Sequence, residues 1–187
     1  MSFNSILSKN NQNLHLVAEK EYRNYQNGIP FPCIVLDNFF DKNFLNKVIK
    51  EFPDLSKINS SQRYTNKNEI KFANNNFKSF PESIKDLIEF LNSDYFLNFL
   101  QKLTSIEEKL TADPKLNGGG LHEIKKGGVL KIHTDFNKHP TLNLDRRLNV
   151  LVYLNKNWNK EYGGDLELWD KDLKKCKKKY HQILIKW

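Results

Sequence analysis

Gly118-Gly119-Gly120-Leu121-His122-Glu123-Ile124-Lys125-Lys126-Gly127-Gly128-Val129-Leu130-Lys131-Ile132-His133-Thr134-Asp135-Phe136-Asn137 is the stretch on which the reading of the fold turns. Its glycines punctuate two short runs, 121–125 and 129–136, whose period is extended rather than helical. Side chains two apart on an extended segment share a face, so His133 and Asp135 point together while Thr134 points away. An imidazole nitrogen and a carboxylate oxygen on one face are two of the three protein ligands of a 2-His-1-carboxylate iron(II) site. The open positions of such a site take a co-substrate and oxygen.

Downstream, 147–154 and 165–169 read as further strands between turn residues. Upstream the pattern differs. Residues 30–36, Pro-Phe-Pro-Cys-Ile-Val-Leu, read as a turn entering a buried strand. Asp41 is placed to cap a helix carrying Phe44, Leu45, Val48, Ile49 and Phe52, which Pro53 ends. Residues 54–78 are polar and Asn-rich and read as a long loop with short strands. Pro81 suits the first turn of a helix striped by Ile84, Leu87, Ile88 and Leu91. Asp94 is placed to cap another, with Phe96, Leu97, Phe99, Leu100 and Leu103 on its apolar face. Helices followed by short strands predict an α+β chain in which helices brace a jelly-roll-like pair of sheets.

Two more motifs follow His133-Thr134-Asp135 in order. They are Arg146-Arg147-Leu148-Asn149-Val150-Leu151-Val152-Tyr153-Leu154-Asn155 and Tyr162-Gly163-Gly164-Asp165-Leu166-Glu167-Leu168-Trp169. With the run at 30–40, these motifs resemble the prolyl 4-hydroxylase-like branch of the iron(II)/2-oxoglutarate dioxygenases. The resemblance is densest from Gly118 to Asp170. It implies a double-stranded β-helix (jelly roll, cupin-like), with residues 1–117 as its helical and supporting-strand part and 118–187 as its core, all one domain. It also implies Fe(II) held by His133 and Asp135, with 2-oxoglutarate and O2 as co-substrates and ascorbate as reductant. The activity implied couples oxidative decarboxylation of 2-oxoglutarate to hydroxylation of a C–H bond. By motif position Tyr153 and Leu166 line the 2-oxoglutarate pocket; ordinary strand core is the alternative for both. His122 and His139 read as structural or surface histidines.

The family's pattern is then interrupted. It implies a distal histidine some tens of residues after the aspartate, and an Arg or Lys beyond it for the far carboxylate of 2-oxoglutarate. His181 is the one histidine after His139 and the remaining candidate for third ligand, with Lys186 for the clamp. Between them Ile183-Leu184-Ile185 reads as strand, in a region that precedes the distal-histidine strand in the family. An A/T-rich back-translation of residues 180–187, read one base earlier, gives Ile-Ser-Pro-Asn-Phe-Asn-Lys-Met, close to the family's pattern there. The expectation is a chain ended before the distal histidine, with an incomplete jelly roll, weak Fe(II) binding and little turnover.

Composition sets the remaining bounds. The chain has 187 residues, 39% hydrophobic and 12% aromatic, enough for one folded core. Of its net charge of +8, much lies in Lys171, Lys174, Lys175, Lys177, Lys178 and Lys179. Few aromatics interleave that run, so it reads as a solvated basic segment rather than a nucleic-acid surface. Cys33 and Cys176 lack metal-ligand spacing and read as reduced thiols, which points to the cytoplasm. No apolar run has the length of a membrane helix. The expected partner is a small-molecule or peptidyl substrate, with proline the best-known target in the family. A non-catalytic jelly-roll protein used for binding or scaffolding is the rival reading.

Overall fold

The computed structural model describes residues 3–181, which hold four α-helices and six short strands. It divides into two compact units. One comprises Met1–Lys50, Asp86–Ala112 and Val152–Trp187, the other Glu51–Lys85 and Asp113–Leu151.

The first unit is built on helices. Helix α1, Leu14–Gln26, starts where the Asn13 side chain accepts the Leu16 N–H at 3.2 Å, and it buries Leu14 and Ala18 one turn apart. Helix α2, Lys42–Glu51, begins as expected at Asp41, whose Oδ1 accepts the N–H groups of Asn43 and Phe44, both at 2.9 Å. Helix α3, Glu82–Leu91, starts within the second unit and ends in the first. Helix α4, Asp94–Thr104, is capped by Ser93 rather than Asp94: the Ser93 hydroxyl accepts the Phe96 N–H at 3.3 Å. Serine stands one residue earlier, where an extended backbone aims its oxygen at the open N–H groups.

α1 packs on α4, and the Tyr95 hydroxyl ties them by donating to the Gln12 carbonyl at 2.7 Å. The core of this unit is aromatic. Phe39, Phe90, Phe96 and Phe99 are buried, with centroids 5.2 Å apart for Phe90–Phe96 and 5.5 Å for Phe96–Phe99. Each buried Phe contributes roughly 1.5–3 kcal/mol by removal from water. A hairpin of β5, Leu166–Trp169, and β6, Cys176–Tyr180, completes the unit. Its lysines find carboxylates close by: Lys179 meets Glu167 at 2.5 Å and Lys177 meets Asp170 at 3.7 Å.

The second unit is an antiparallel sheet. β1, Gln62–Thr65, pairs with β2, Glu69–Asn74, so the polar stretch 54–78 does contain strands, joined by a turn at Asn66. On the other edge of β2 lie β3, Leu121–Glu123, and β4, Val129–Leu130, one after the other. They form one strand interrupted by an excursion at 124–128, which closes with the Gly128 N–H on the Lys125 carbonyl at 2.7 Å. Leu121 and Asn74 are buried on one face of this sheet.

Several expected strands are shorter or absent. The run 129–136 pairs only at Val129–Leu130, with one further bond from the Lys131 N–H to the Asn68 carbonyl at 2.9 Å. β2 begins at Glu69, so its chain turns away at Asn66–Asn68 and offers residues 132–136 no ladder. Residues 147–154 form no strand, and 30–36 form no buried strand; Val35 is exposed. The α+β class holds. A jelly roll takes about eight strands in two sheets; the described residues form one four-stranded sheet and one hairpin. The expected run Ile183-Leu184-Ile185 lies outside the described residues, as does Lys186.

Candidate metal centre

His133 and Asp135 stand just past β4, where the chain has left the sheet and bends at Ile132. His133 Nδ1 lies 2.7 Å from the Lys131 carbonyl oxygen. A carbonyl only accepts, so Nδ1 carries a proton, and in the neutral ring Nε2 holds the lone pair. Nε2 is 3.7 Å from Asp135 Oδ1. Two donors each about 2.1 Å from one ion stand at most about 4.2 Å apart, so this spacing fits a shared metal. A neutral nitrogen beside an anionic oxygen is also the donor set that suits Fe(II). The side chains are 50% and 41% exposed, open to an arriving ion and to water.

The other oxygen of Asp135 is occupied. Asn149 Nδ2 donates to Oδ2 at 3.0 Å, and Arg146 Nη2 lies 3.5 Å from the same atom. Arg146 Nη2 also donates to Asn149 Oδ1 at 3.4 Å. The guanidinium lies over the Phe136 ring at 4.7 Å. That ring sits against Gly118, whose φ is +72° and where any Cβ would collide with Phe136 Cε1.

Residues 137–146 make the turn that returns the chain to Asp135. The Arg146 N–H donates to the Asn137 carbonyl at 2.8 Å, the His139 N–H donates to the Leu144 carbonyl at 2.9 Å, and Lys138 pairs with Asp145. His139 holds the tip: its Nδ1 accepts the N–H groups of Thr141 at 3.2 Å and Leu142 at 3.0 Å. That leaves the proton on Nε2, which lies 3.8 Å from Asp113 Oδ1; Asn117 Nδ2, 3.0 Å away, is itself a donor and makes no hydrogen bond to it in this tautomer. His139 is a structural histidine.

His122, on β3, shares a sheet face with Lys71 and Glu69 of β2. Lys71 pairs with Glu69 at 3.0 Å and lies 5.2 Å from the Tyr64 ring centroid. Desolvation, and then the Lys71 charge, hold the His122 imidazole below its usual pKa, so it is neutral at pH 7. Lys71 in turn keeps the Glu69 carboxyl low.

Three other expected site residues belong to the other unit. Tyr153 is half-buried, and desolvation raises its phenol pKa, so it stays a neutral donor. Leu166 opens β5 opposite Tyr180. His181 Nδ1 is 2.8 Å from Asp165 Oδ1. Among the described residues no group of three or more His, Cys, Asp or Glu could hold a metal ion. None of their helices is long and apolar enough to cross a membrane. The sequence reading gave no role to Asn149 or Arg146. Both were visible in the motif at 146–155, and what linked them to Asp135 was the turn at 137–146.

Residues 119–185 match the family model of the 2OG-Fe(II) oxygenase superfamily. The matched segment contains His133, Asp135, Arg146, Asn149, Tyr153, Leu166 and His181. It supports that superfamily, and with it an oxidoreductase chemistry of Fe(II), 2-oxoglutarate and O2. No curated protein and no solved structure matches the chain.

Proposed function

We propose that this protein is an iron(II)/2-oxoglutarate-dependent dioxygenase of the prolyl-hydroxylase-like kind, with His133 and Asp135 as two of its iron ligands. The observation that carries this reading is the convergence of His133 Nε2 and Asp135 Oδ1 to 3.7 Å, with the proton of His133 held on the opposite nitrogen. The family match around the pair supports it. When bound, the iron supplies the oxidation that couples 2-oxoglutarate decarboxylation to C–H hydroxylation.

The chain's own residues bind and orient. His133 offers a neutral nitrogen and Asp135 offers an anionic oxygen. The family motif assigns Tyr153 to a 2-oxoglutarate carboxylate and Leu166 to the apolar wall, and ascorbate serves to keep the metal reduced. The substrate is a small molecule or a peptidyl side chain, proline among them.

The test is succinate formation with Fe(II), 2-oxoglutarate and ascorbate, in air and without oxygen. The reading expects slow, oxygen-dependent succinate that falls at least tenfold in His133→Ala and in Asp135→Ala. Succinate unaffected by either substitution overturns the assignment of the pair. A folded chain with no 2-oxoglutarate turnover leaves the rival, a binding protein, as the better account.

A further inference from the structure

We infer that Asn149 is a positioning residue for Asp135: it fixes which carboxylate oxygen faces the metal, and Arg146 fixes Asn149. The inference rests on the reading of His133 and Asp135 as metal ligands and extends it to residues that touch no ion themselves.

A carboxylate beside a metal has two equivalent oxygens and a free rotation. Left alone, it is a poorly defined ligand at an exposed position such as this one, where Asp135 is 41% exposed. Here the equivalence is broken. Oδ2 accepts from Asn149 Nδ2 at 3.0 Å and has the Arg146 guanidinium at 3.5 Å, whereas Oδ1 faces His133 Nε2. The two oxygens thus have separate tasks, one anchored to the protein and one presented with the imidazole nitrogen.

Asn149 is itself oriented. Its amide has a carbonyl end and an amino end, and only the amino end serves a carboxylate. Arg146 Nη2 donates to Asn149 Oδ1 at 3.4 Å, which selects the rotamer with Nδ2 toward Asp135. Arg146 is only 21% exposed and stacks on Phe136, the residue after Asp135. The relay therefore closes on the segment it serves. Gly118 leaves the room in which Phe136 sits. Asn149 is also an uncharged donor, so of the two partners of Oδ2 only Arg146, at 3.5 Å, offsets the charge of Asp135.

His133 is held in a parallel way by the Lys131 carbonyl at its Nδ1. Each member of the pair is thus pinned through the atom it does not offer to the metal. Outer partners of this kind typically change metal affinity about 10–100-fold when removed.

The experiment is Mn(II) titration of the full chain, read by electron paramagnetic resonance of the free ion, for wild type, Asn149→Ala, Asp135→Ala and the double variant. The expected result is a dissociation constant raised about tenfold by Asn149→Ala and unchanged by Asn149→Ala in the Asp135→Ala background. A merely structural Asn149 would weaken binding equally in both backgrounds. Arg146→Met, which keeps Asn149 but removes its orienting donor, is expected to fall between wild type and Asn149→Ala. Should Asn149→Ala fail to fold, Arg146→Met in the two backgrounds carries the test on the same terms. Mn(II) bound by wild type and within twofold as tightly by the variants overturns the role given to Asn149. Mn(II) ignored by wild type overturns the reading of the His133–Asp135 pair beneath it.

Discussion

Gly118, at φ +72°, is packed against the ring of Phe136, the residue that follows Asp135. A side chain at 118 meets both a left-handed backbone and an aromatic ring with Arg146 stacked on its face. Gly118→Ala is expected to destabilise the protein by about 1–2 kcal/mol from the backbone alone. Displacement of the ring adds to that and loosens Arg146. Urea unfolding followed by tryptophan fluorescence measures it; unchanged stability would mean that the Phe136 ring moves aside freely.

His139 accepts two backbone N–H groups, and leucine accepts none. In His139→Leu the amides of Thr141 and Leu142 are expected to exchange with solvent about fivefold faster, about 1 kcal/mol for each lost bond. Amide exchange by NMR reads both positions, and protection retained at both would contradict the tautomer assigned to His139.

His122 gives a pH dependence whose sign follows from its surroundings. Desolvation and the Lys71 charge depress its folded pKa, so the unfolded chain binds the proton more readily. Its contribution to stability is complete above the unfolded value of about 6.5 and is lost as pH falls through the folded one. Its Cε1 proton is expected to titrate below pH 6.5, and Lys71→Met is expected to move the midpoint upward. A midpoint at or above the ordinary value, insensitive to Lys71, would contradict this.

Phe90 is fully buried and meets Phe3, Phe40 and Phe96 edge-on or tilted. Phe90→Ala is expected to cost about 3–5 kcal/mol, enough to unfold a marginal domain. Thermal unfolding by circular dichroism checks it, and a fall in melting temperature of only a degree or two would show that the cluster repacks.

The helices were the most legible part of the sequence, because their signals are local. Asp41 caps α2 at the position its side-chain chemistry predicts, and Pro81 stands immediately before α3, one residue ahead of the first turn expected for it. α1 carries the same kind of signal in Asn13 and in the spacing of Leu14 and Ala18, but it is weak, because only those two residues are buried and Leu16 faces solvent. Strands were harder, because a strand exists only where a neighbour supplies the ladder. The alternation at 129–136 predicts a strand throughout, but the chain pairs at Val129–Leu130 and bends at Ile132, since nothing local reveals that β2 starts at Glu69. At the candidate site the proximity of His133 and Asp135 follows from their spacing. The link from Asn149 and Arg146 to Asp135 does not, because it depends on a ten-residue turn held at its tip by His139.

The most direct test of the central claim is to locate where a paramagnetic ion binds. Mn(II) added at low stoichiometry to isotope-labelled protein is expected to broaden the His133 Cε1–H and the Asp135 amide signals first. Signals of His15, on the exposed face of α1, are expected to stay sharp. In the His133→Ala, Asp135→Ala double variant the selective broadening is expected to vanish. Broadening that leaves His133 and Asp135 untouched, or that persists unchanged in the double variant, would contradict the account.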